Sequence, residues 1–561
     1  MSFATGADAD GMKGGNVHEL RSVGNRGDGE FSPDKEDEAR REGGTDFKDQ
    51  MNMERLGKRQ EFDVGAAHLR LAAKVDHPLM CAQRNFRLLS ITAFSVIAMG
   101  GLIFVPKSVI SGIVDGNTGG TIAMYLINFA AFSSIIFSLA EMASMAPTAG
   151  GQYHWVSEFA PPSLQKSLSY TAGWLSALAW CCGTTSGFFL AGSLIQGVIV
   201  ELHPDYVAEP WRAYLLVVAL ATIGALVNTY LSRKLPKLEG FAFLLTIAGF
   251  ISVIIILWVL SSEQRLTASE VFQTFSNDGG WSSLGLSMVA GQILLVWTLT
   301  GADATAHMAE ETRHASDVIP KAMILSYFIN GIMVFVMLIT YCFCLTDLTD
   351  AFASATGFPF IQVFATATGS AQGAAAITCL LLVLIVFSVT NYMAACSRQV
   401  FAFARDRGVP FHTWIAKVDQ RNNCPTPAVA VTYGFCILIC LISLGSAVAF
   451  NAITSLQLLA LVFTYMMSIG CLLWRRFFGK PLPVGSWTLG RAGTPTNAFA
   501  LAYCAYLIIF IAFPVSVPVT VATLNWAPVM FAGVVVLALG YYVLYARKIY
   551  DGPVAYVGSV Y

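Results

Sequence analysis

The stretch LLVWTLTGADATAHMAEET, residues 294–312, begins as an uncharged apolar run and then places Asp303 directly behind Thr300, Gly301 and Ala302. A carboxylate within hydrocarbon is costly, and intramembrane acids usually mark ion pathways, proton relays or ligand counter-charges. Two uses fit Asp303. As a favoured N-cap it can accept the orphan N–H groups of a helix that restarts after a break; alternatively, its charge faces a cavity and holds a cationic group or a proton. A second irregular point lies in LLSITAFSVIAMGGLIFVPKSV, where Gly100 and Gly101 interrupt another apolar run. Backbone N–H groups freed from about Met99 to Gly101 would offer partial positive charge to an anion such as a carboxylate. A zwitterion could lie between the two points. The plainer reading of Gly100-Gly101 is close helix packing. His307, Glu310 and Glu311 follow Asp303 and are expected nearer the inner surface, as gate or interface residues.

Residues of this kind need elements to hold them, and composition says which. The chain has 561 residues, 55% hydrophobic and 12% charged, with a mean hydropathy of +0.61. That is too apolar for a soluble protein and marks a membrane protein. The net charge of -1 argues against a nucleic-acid partner. Most of the 12 cysteines lie inside apolar runs, as small hydrophobes, and no metal-ligand spacing occurs. Residues 1–85 are charged and Gly-rich, and read as a largely disordered cytoplasmic tail with a short helix at 50–75. They hold no apolar signal region. Residues 86–548 form the transmembrane domain, and 549–561 a short cytoplasmic C-terminal tail.

Apolar stretches of roughly 20 residues, enough to cross a bilayer, recur about twelve times between 88 and 546. The loops collect Arg233, Lys234, Lys237, Arg313, Lys321, Arg405, Arg407, Arg475, Arg476 and Lys480 on one side, against Arg212 and Arg265 on the other. The positive-inside rule makes the first side, and both termini, cytoplasmic. The glycine break in span 1 and the Thr-Gly-Ala-Asp break in span 6 both fall near mid-bilayer. Irregular backbone survives there only where it lines a cavity. Four spans separate the two, so the expected fold is an all-α polytopic membrane protein with about 12 transmembrane helices. It is a LeuT-like 5+5 inverted repeat with discontinuous helices 1 and 6.

The run SLAEMASMAPTAGGQYHWVSEFAP at 138–161, with SYTAGWLSALAW after it, resembles the amino acid/choline transporter branch of the amino acid-polyamine-organocation superfamily, the fungal group of GABA and choline permeases. The resemblance continues through GADATAHMAEETRHASDVIPKAM, GFPFIQVFATATGS, ACSRQVFAFARDRGVPF and PVTVATLNWAPVM, and covers about 85–558. It implies a proton-driven importer of amino acids or related amines at the plasma membrane. Carried over by position, Ala98, Met99, Gly100 and Gly101 match the carboxylate-facing strip, and Trp297, Thr300, Gly301, Ala302 and Asp303 the span 6 side of the pocket. Glu141 and the turn from Pro147 to Gly151 match the signature that couples a cytoplasmic loop to helix movement. Arg398, Arg405 and Asp406 match the inner end of span 8 and could form gate ion pairs.

Coupling is where the chain departs from the branch: Thr246 stands where a His is common, and it cannot titrate near neutral pH. Asp303, Glu141 and Glu239 remain as proton carriers. Ser388 and Thr390 could serve sodium instead, though such hydroxyls usually bond to the preceding turn. Trp174, Trp180, Trp297 and Phe188 could cage a quaternary ammonium, or be ordinary packing residues. The expected protein is therefore a permease of amino acids or amines such as GABA. Choline or polyamine transport, or a nutrient sensor of the same fold, is the alternative. The expected partners are the solute, a coupling proton and the bilayer, with no cofactor. An enzyme is not expected, because no nucleophile–base pair, metal cluster or phosphate loop emerges, and a channel would show charge rings or a filter repeat.

Overall fold

The computed structural model describes residues 86–553 apart from 262–264, 420, 423, 445–446, 515, 522 and 551. The expected N-terminal tail with its helix at 50–75, and the end of the chain from 554, lie outside the described residues. Among the described residues the backbone is helical, and β pairing is confined to two isolated bridges. Chemistry dictates this, since in hydrocarbon a helix satisfies its own N–H and C=O groups.

The first break separates α1 (Leu88–Met99) from α2 (Gly101–Met145) at Gly100, which has φ 55°. Asn117, with φ 55° and ψ -168°, then divides α2 into the outer half of span 1 and the whole of span 2. After the short α3 (Gln152–Phe159) come α4 (Gln165–Leu202), α5 (Pro210–Tyr230) and α6 (Leu235–Leu260), completing five spans. A surface helix, α7 (Ala268–Gln273), precedes the sixth crossing, which is broken into α8 (Leu284–Gly291), α9 (Ile293–Trp297) and α10 (Ala304–His307). Beyond it run α11 (Ala315–Cys344), the short α12 (Leu348–Phe352) and α13 (Pro359–Thr368), and α14 (Ala371–Arg405). The short α15 (His412–Ile415) leads to α16 (Thr426–Cys440), α17 (Ala447–Phe478), α18 (Gly493–Ile511) and α19 (Ala527–Leu544). Eleven segments of the described chain are long and apolar enough to cross a membrane, and the interrupted Leu284–Trp297 segment supplies the remaining expected crossing.

The two halves pack on one another, α2 most extensively on α11 and α4 on α14. The outermost helices behave as lipid-facing elements: Leu244 of α6 and Leu537 of α19 are 69% and 74% exposed. The inner faces are tight. A Cβ on Gly187 of α4 would lie 2.2 Å from Val389 Cγ1 of α14, so only glycine lets these helices approach so closely. On the side of the basic loops, which we call inner, the chain folds back after α19. Tyr550 is fully buried, exchanges a 2.7 Å hydrogen bond with Ser169 and packs edge-on to Tyr170. Burial pushes its phenol well above the usual tyrosine range.

The α4–α14 contact yields a stability prediction. Gly187→Leu should cost about 1–3 kcal/mol, as overpacking typically does, and lower the unfolding temperature of the purified protein. An unchanged midpoint would contradict the close approach.

Candidate functional site

The two breaks meet. A Cβ placed on Gly301, whose φ of +101° suits only glycine, would lie 3.6 Å from Met99 Cα, at the end of α1. The span 1 break is narrow: Gly100 N–H closes α1 on Val96 O, and Ile103 and Phe104 N–H already return to Gly100 O. The span 6 break is longer, with residues 298–303 outside any helix. Gly101 N–H donates to Asn330 Oδ1 of α11 at 2.9 Å, and Asn330 Nδ2 donates to Thr298 O at 3.0 Å. One buried carboxamide therefore satisfies a freed donor of the first break and a freed acceptor of the second. Gly101 has to lack a side chain for this, since a Cβ there would lie 2.6 Å from Asn330 Oδ1 and 2.2 Å from Val334 Cγ2. Gly101 is therefore a close-packing position, while Gly100 takes the left-handed conformation at the break.

The remaining expected pocket residues surround this junction. Ala98 O accepts from Ser388 Oγ of α14 at 3.1 Å, so this hydroxyl bonds across helices, whereas Thr390 bonds to Val386 O in its own turn. Trp297 packs edge-on to Phe104 at 4.7 Å and donates from Nε1 to Gln457 Oε1 of α17 at 3.1 Å. These rings fill the space between the breaks and α17. Thr300 returns its hydroxyl to Trp297 O, and Ala302 is fully buried. On the far face, an apolar crevice bounded by Val96, Ile97, Ile103 and Met333 reaches Thr246 and Asn330.

Asp303 stands at the N-cap of α10, but its carboxylate makes no capping bond. The capping reading is thereby corrected. Gln152 Nε2 of α3 donates to Oδ2 at 2.5 Å and Tyr465 OH of α17 to Oδ1 at 2.8 Å, so side chains brought by other helices outcompete the local N–H groups. Glu239 of α6 is likewise buried and accepts from Asn391 Nδ2 of α14 at 2.8 Å, while the same amide reaches Phe94 O of α1. Thr246 bonds to Ala242 O within its own helix. Glu141 differs from both acids. It pairs with Arg476 and accepts from Thr488 Oγ1 and Leu489 N–H, which fastens the loop before α18 to α2.

Ion pairs gather at the inner end. Arg405 forms a two-pronged pair with Glu310 at 2.7 and 2.9 Å, and Arg398 pairs with Glu311 at 2.9 Å. Adjacent glutamates thus reach different turns of α14. Asp406 accepts from Tyr153 OH of α3 at 2.9 Å. Phe86 N–H donates to Glu311 O and Arg313 N–H to Phe86 O, which ties the start of α1 to the end of span 6. The expected aromatic cage does not assemble. Trp174 packs on Tyr170 and Phe403, Trp180 on His307 and Tyr392, Trp297 on Phe104, and Phe188 against Gly224. Sequence reasoning missed Asn330, Gln152, Gln457 and Tyr465. The available signal was a carboxamide inside an apolar run, as in SYFINGIMVF around Asn330.

Comparison with known proteins adds the remaining information. The amino acid permease family matches residues 86–537. An uncharacterised amino-acid permease of Schizosaccharomyces pombe is 30% identical over 476 residues, 84% of this chain and 87% of its own. Amino-acid permease 2 of Neurospora crassa is 27% identical, with 84% and 87% covered. A choline transporter of Saccharomyces cerevisiae is 26% identical, with 83% and 82% covered.

The carboxamide bridge generates a graded prediction. Asn330→Leu strands two buried backbone groups at about 1–3 kcal/mol each, so stability and saturable solute uptake should both fall. Asn330→Gln keeps a carboxamide with both donor and acceptor and should lose less. Equal behaviour of the two variants would show that the bridge is unimportant.

Proposed function

The chain belongs to the amino acid permease family, and we propose that it is a secondary active carrier of amino acids or related amines such as GABA, working by alternating access and coupled to protons. It is a membrane transporter and not an enzyme. The observation that supports the finer reading is the meeting of the two breaks across Asn330. Irregular backbone deep in the bilayer carries unpaired N–H and C=O groups, and a solute's charged ends can exchange their hydration for them. The substrate carboxylate takes hydrogen bonds from N–H groups at the start of α2, in competition with Asn330 Oδ1. Its cationic end points towards Asp303. α1 and α10 then move against the α4 and α14 scaffold, and inner opening requires the Glu310–Arg405 and Glu311–Arg398 pairs to part. Both termini are cytoplasmic in this reading, and the plasma membrane is the site of action.

Glu239 is the proton carrier we favour. It is buried, its hydrogen-bond donor Asn391 is neutral, and that donor also holds α1 through Phe94 O. Protonation would turn a carboxylate acceptor into a donor at the contact between α1, α6 and α14. Glu141, by contrast, already has Arg476 as its counter-charge. One relative is named a choline transporter, but the four rings expected to cage a quaternary ammonium pack apart, which favours the amino-acid reading.

Uptake of labelled amino acids, GABA, choline and spermidine, in cells lacking their own carriers and at two pH values, tests the assignment. Amino-acid or amine uptake should rise as the outside is acidified, and Asp303→Asn should lower uptake of amine-bearing solutes at least about tenfold, the loss of one charge-assisted contact. Glu239→Gln should abolish the pH dependence yet keep counterflow in vesicles. Choline-only uptake would replace the substrate reading, unaltered pH dependence in Glu239→Gln would remove that residue from coupling, and an absence of counterflow would point to a sensor.

A further inference from the structure

Below the span 6 break, three side chains from two elements share an unusual shortage of hydrogen bonds. Asp303, Gln152 and His307 are each at most 1% exposed. Asp303 has only neutral donors, Gln152 Nε2 and Tyr465 OH, so its charge has no cationic partner among its hydrogen bonds. Gln152 Oε1 is buried with no donor. His307 Nδ1 lies 2.8 Å from Ala149 O. A carbonyl oxygen can only accept, so Nδ1 carries a proton, and in the neutral ring Nε2 is left as a bare acceptor. It too is buried without a partner. The residues that carry these atoms are neighbours. Asp303 and His307 lie one helical turn apart, and the His307 ring lies 3.0 Å from where a Cβ of Gly151, the residue before Gln152, would stand. Trp180 flanks the cluster, 5.0 Å from the His307 ring and 5.3 Å from Tyr392. The Tyr392 hydroxyl lies 3.3 Å from the Cβ position of Gly301, which connects the cluster to the break.

We propose that Asp303, Gln152 and His307 form a subsite for a primary ammonium group of the transported solute, with Trp180 and Tyr392 as its aromatic wall. This rests on the carrier reading above and specifies the solute's cationic end. A primary ammonium has three N–H donors and no acceptor. The cluster offers three acceptors to match: Asp303 Oδ2, Gln152 Oε1 and His307 Nε2. Gln152 now occupies Asp303 Oδ2 with its own amide. Turning that amide frees the carboxylate oxygen and presents Oε1, so the arriving ammonium pairs an unmet acceptor and an uncompensated charge, in exchange for the one bond the amide N–H gives up at Asp303. The same rotation breaks the Gln152–Asp303 bond that joins α3 to α10, so arrival of the solute loosens the inner closure. A quaternary ammonium has no N–H to give and leaves all three acceptors unmet, which selects against choline-like solutes.

The test uses the full-length protein in lipid nanodiscs and calorimetric binding of 4-aminobutanoate and its N-methyl, N,N-dimethyl and N,N,N-trimethyl derivatives. The Kd should rise about tenfold with each N–H removed, the effect of one hydrogen bond to a charged group. His307→Phe should weaken the parent compound about tenfold and flatten one step of the series, and His307→Gln, which restores an acceptor, should recover part of the loss. If His307→Phe does not fold, the methylation series on the unaltered protein decides alone. A constant Kd across the series, tightest binding of the trimethyl compound, or no binding of any member overturns the subsite. Amino-acid counterflow alongside a flat series overturns the subsite and leaves the carrier reading intact, whereas absence of counterflow for the whole uptake panel overturns the carrier reading itself.

Discussion

A helix that stops within a bilayer leaves backbone groups that water cannot reach, and here one side chain meets such groups at both breaks. Asn330 accepts from Gly101 N–H and donates to Thr298 O, so the loose ends of spans 1 and 6 are fastened to α11 and, through it, to each other. Everything that makes the centre of the molecule chemically useful depends on this arrangement. Without it, the breaks would have to be regular helix, as the cost of unpaired buried groups demands. In the proposed cycle this amide holds the hydrogen bond that the solute's carboxylate replaces, at small net cost in either direction.

Glu141, Glu239 and Asp303 are distinguished by what pairs with them. Glu141 has a guanidinium and two further donors, which makes it an anchor for the segment ahead of α18. Glu239 and Asp303 are held by carboxamides and a phenol, none of which fixes their charge. A carboxylate with neutral partners can accept a proton or a cation without first losing an ion pair. At the inner end the logic reverses: Arg398 and Arg405 are committed to Glu311 and Glu310. Buried pairs of this kind contribute little net stability but are costly to break singly. They therefore suit a closure that opens as a unit better than one that frays.

Much of the scaffold was legible in the sequence because hydrophobic length is a strong signal. The spans, the interruption at Gly100 and the one ahead of Asp303 all follow from apolar runs and misplaced glycines. The arginines at the end of span 8 were likewise recognisable as ion-pair candidates. What escaped was long-range. Asp303 has the spacing of a cap, yet its carboxylate is taken by Gln152 and Tyr465, roughly 150 residues away on either side. Local propensity cannot see such partners. The aromatic cage failed for the same reason: Trp174, Trp180, Trp297 and Phe188 are suitable in type but point to different neighbours. Ser388 went the other way, bonding across to Ala98 where its own turn was the default. In each case tertiary proximity, set by which glycines let which helices approach, overrode a reasonable local expectation.

A solute held between the two backbone breaks would be visible in a density map of the protein bound to a transported amino acid. The carboxylate of that molecule should lie within about 3 Å of Gly101 N–H, with residues 298–303 on its other side and α1 ending at Gly100. An unbroken helix through residues 96–104, or a solute lodged away from both breaks, would contradict it.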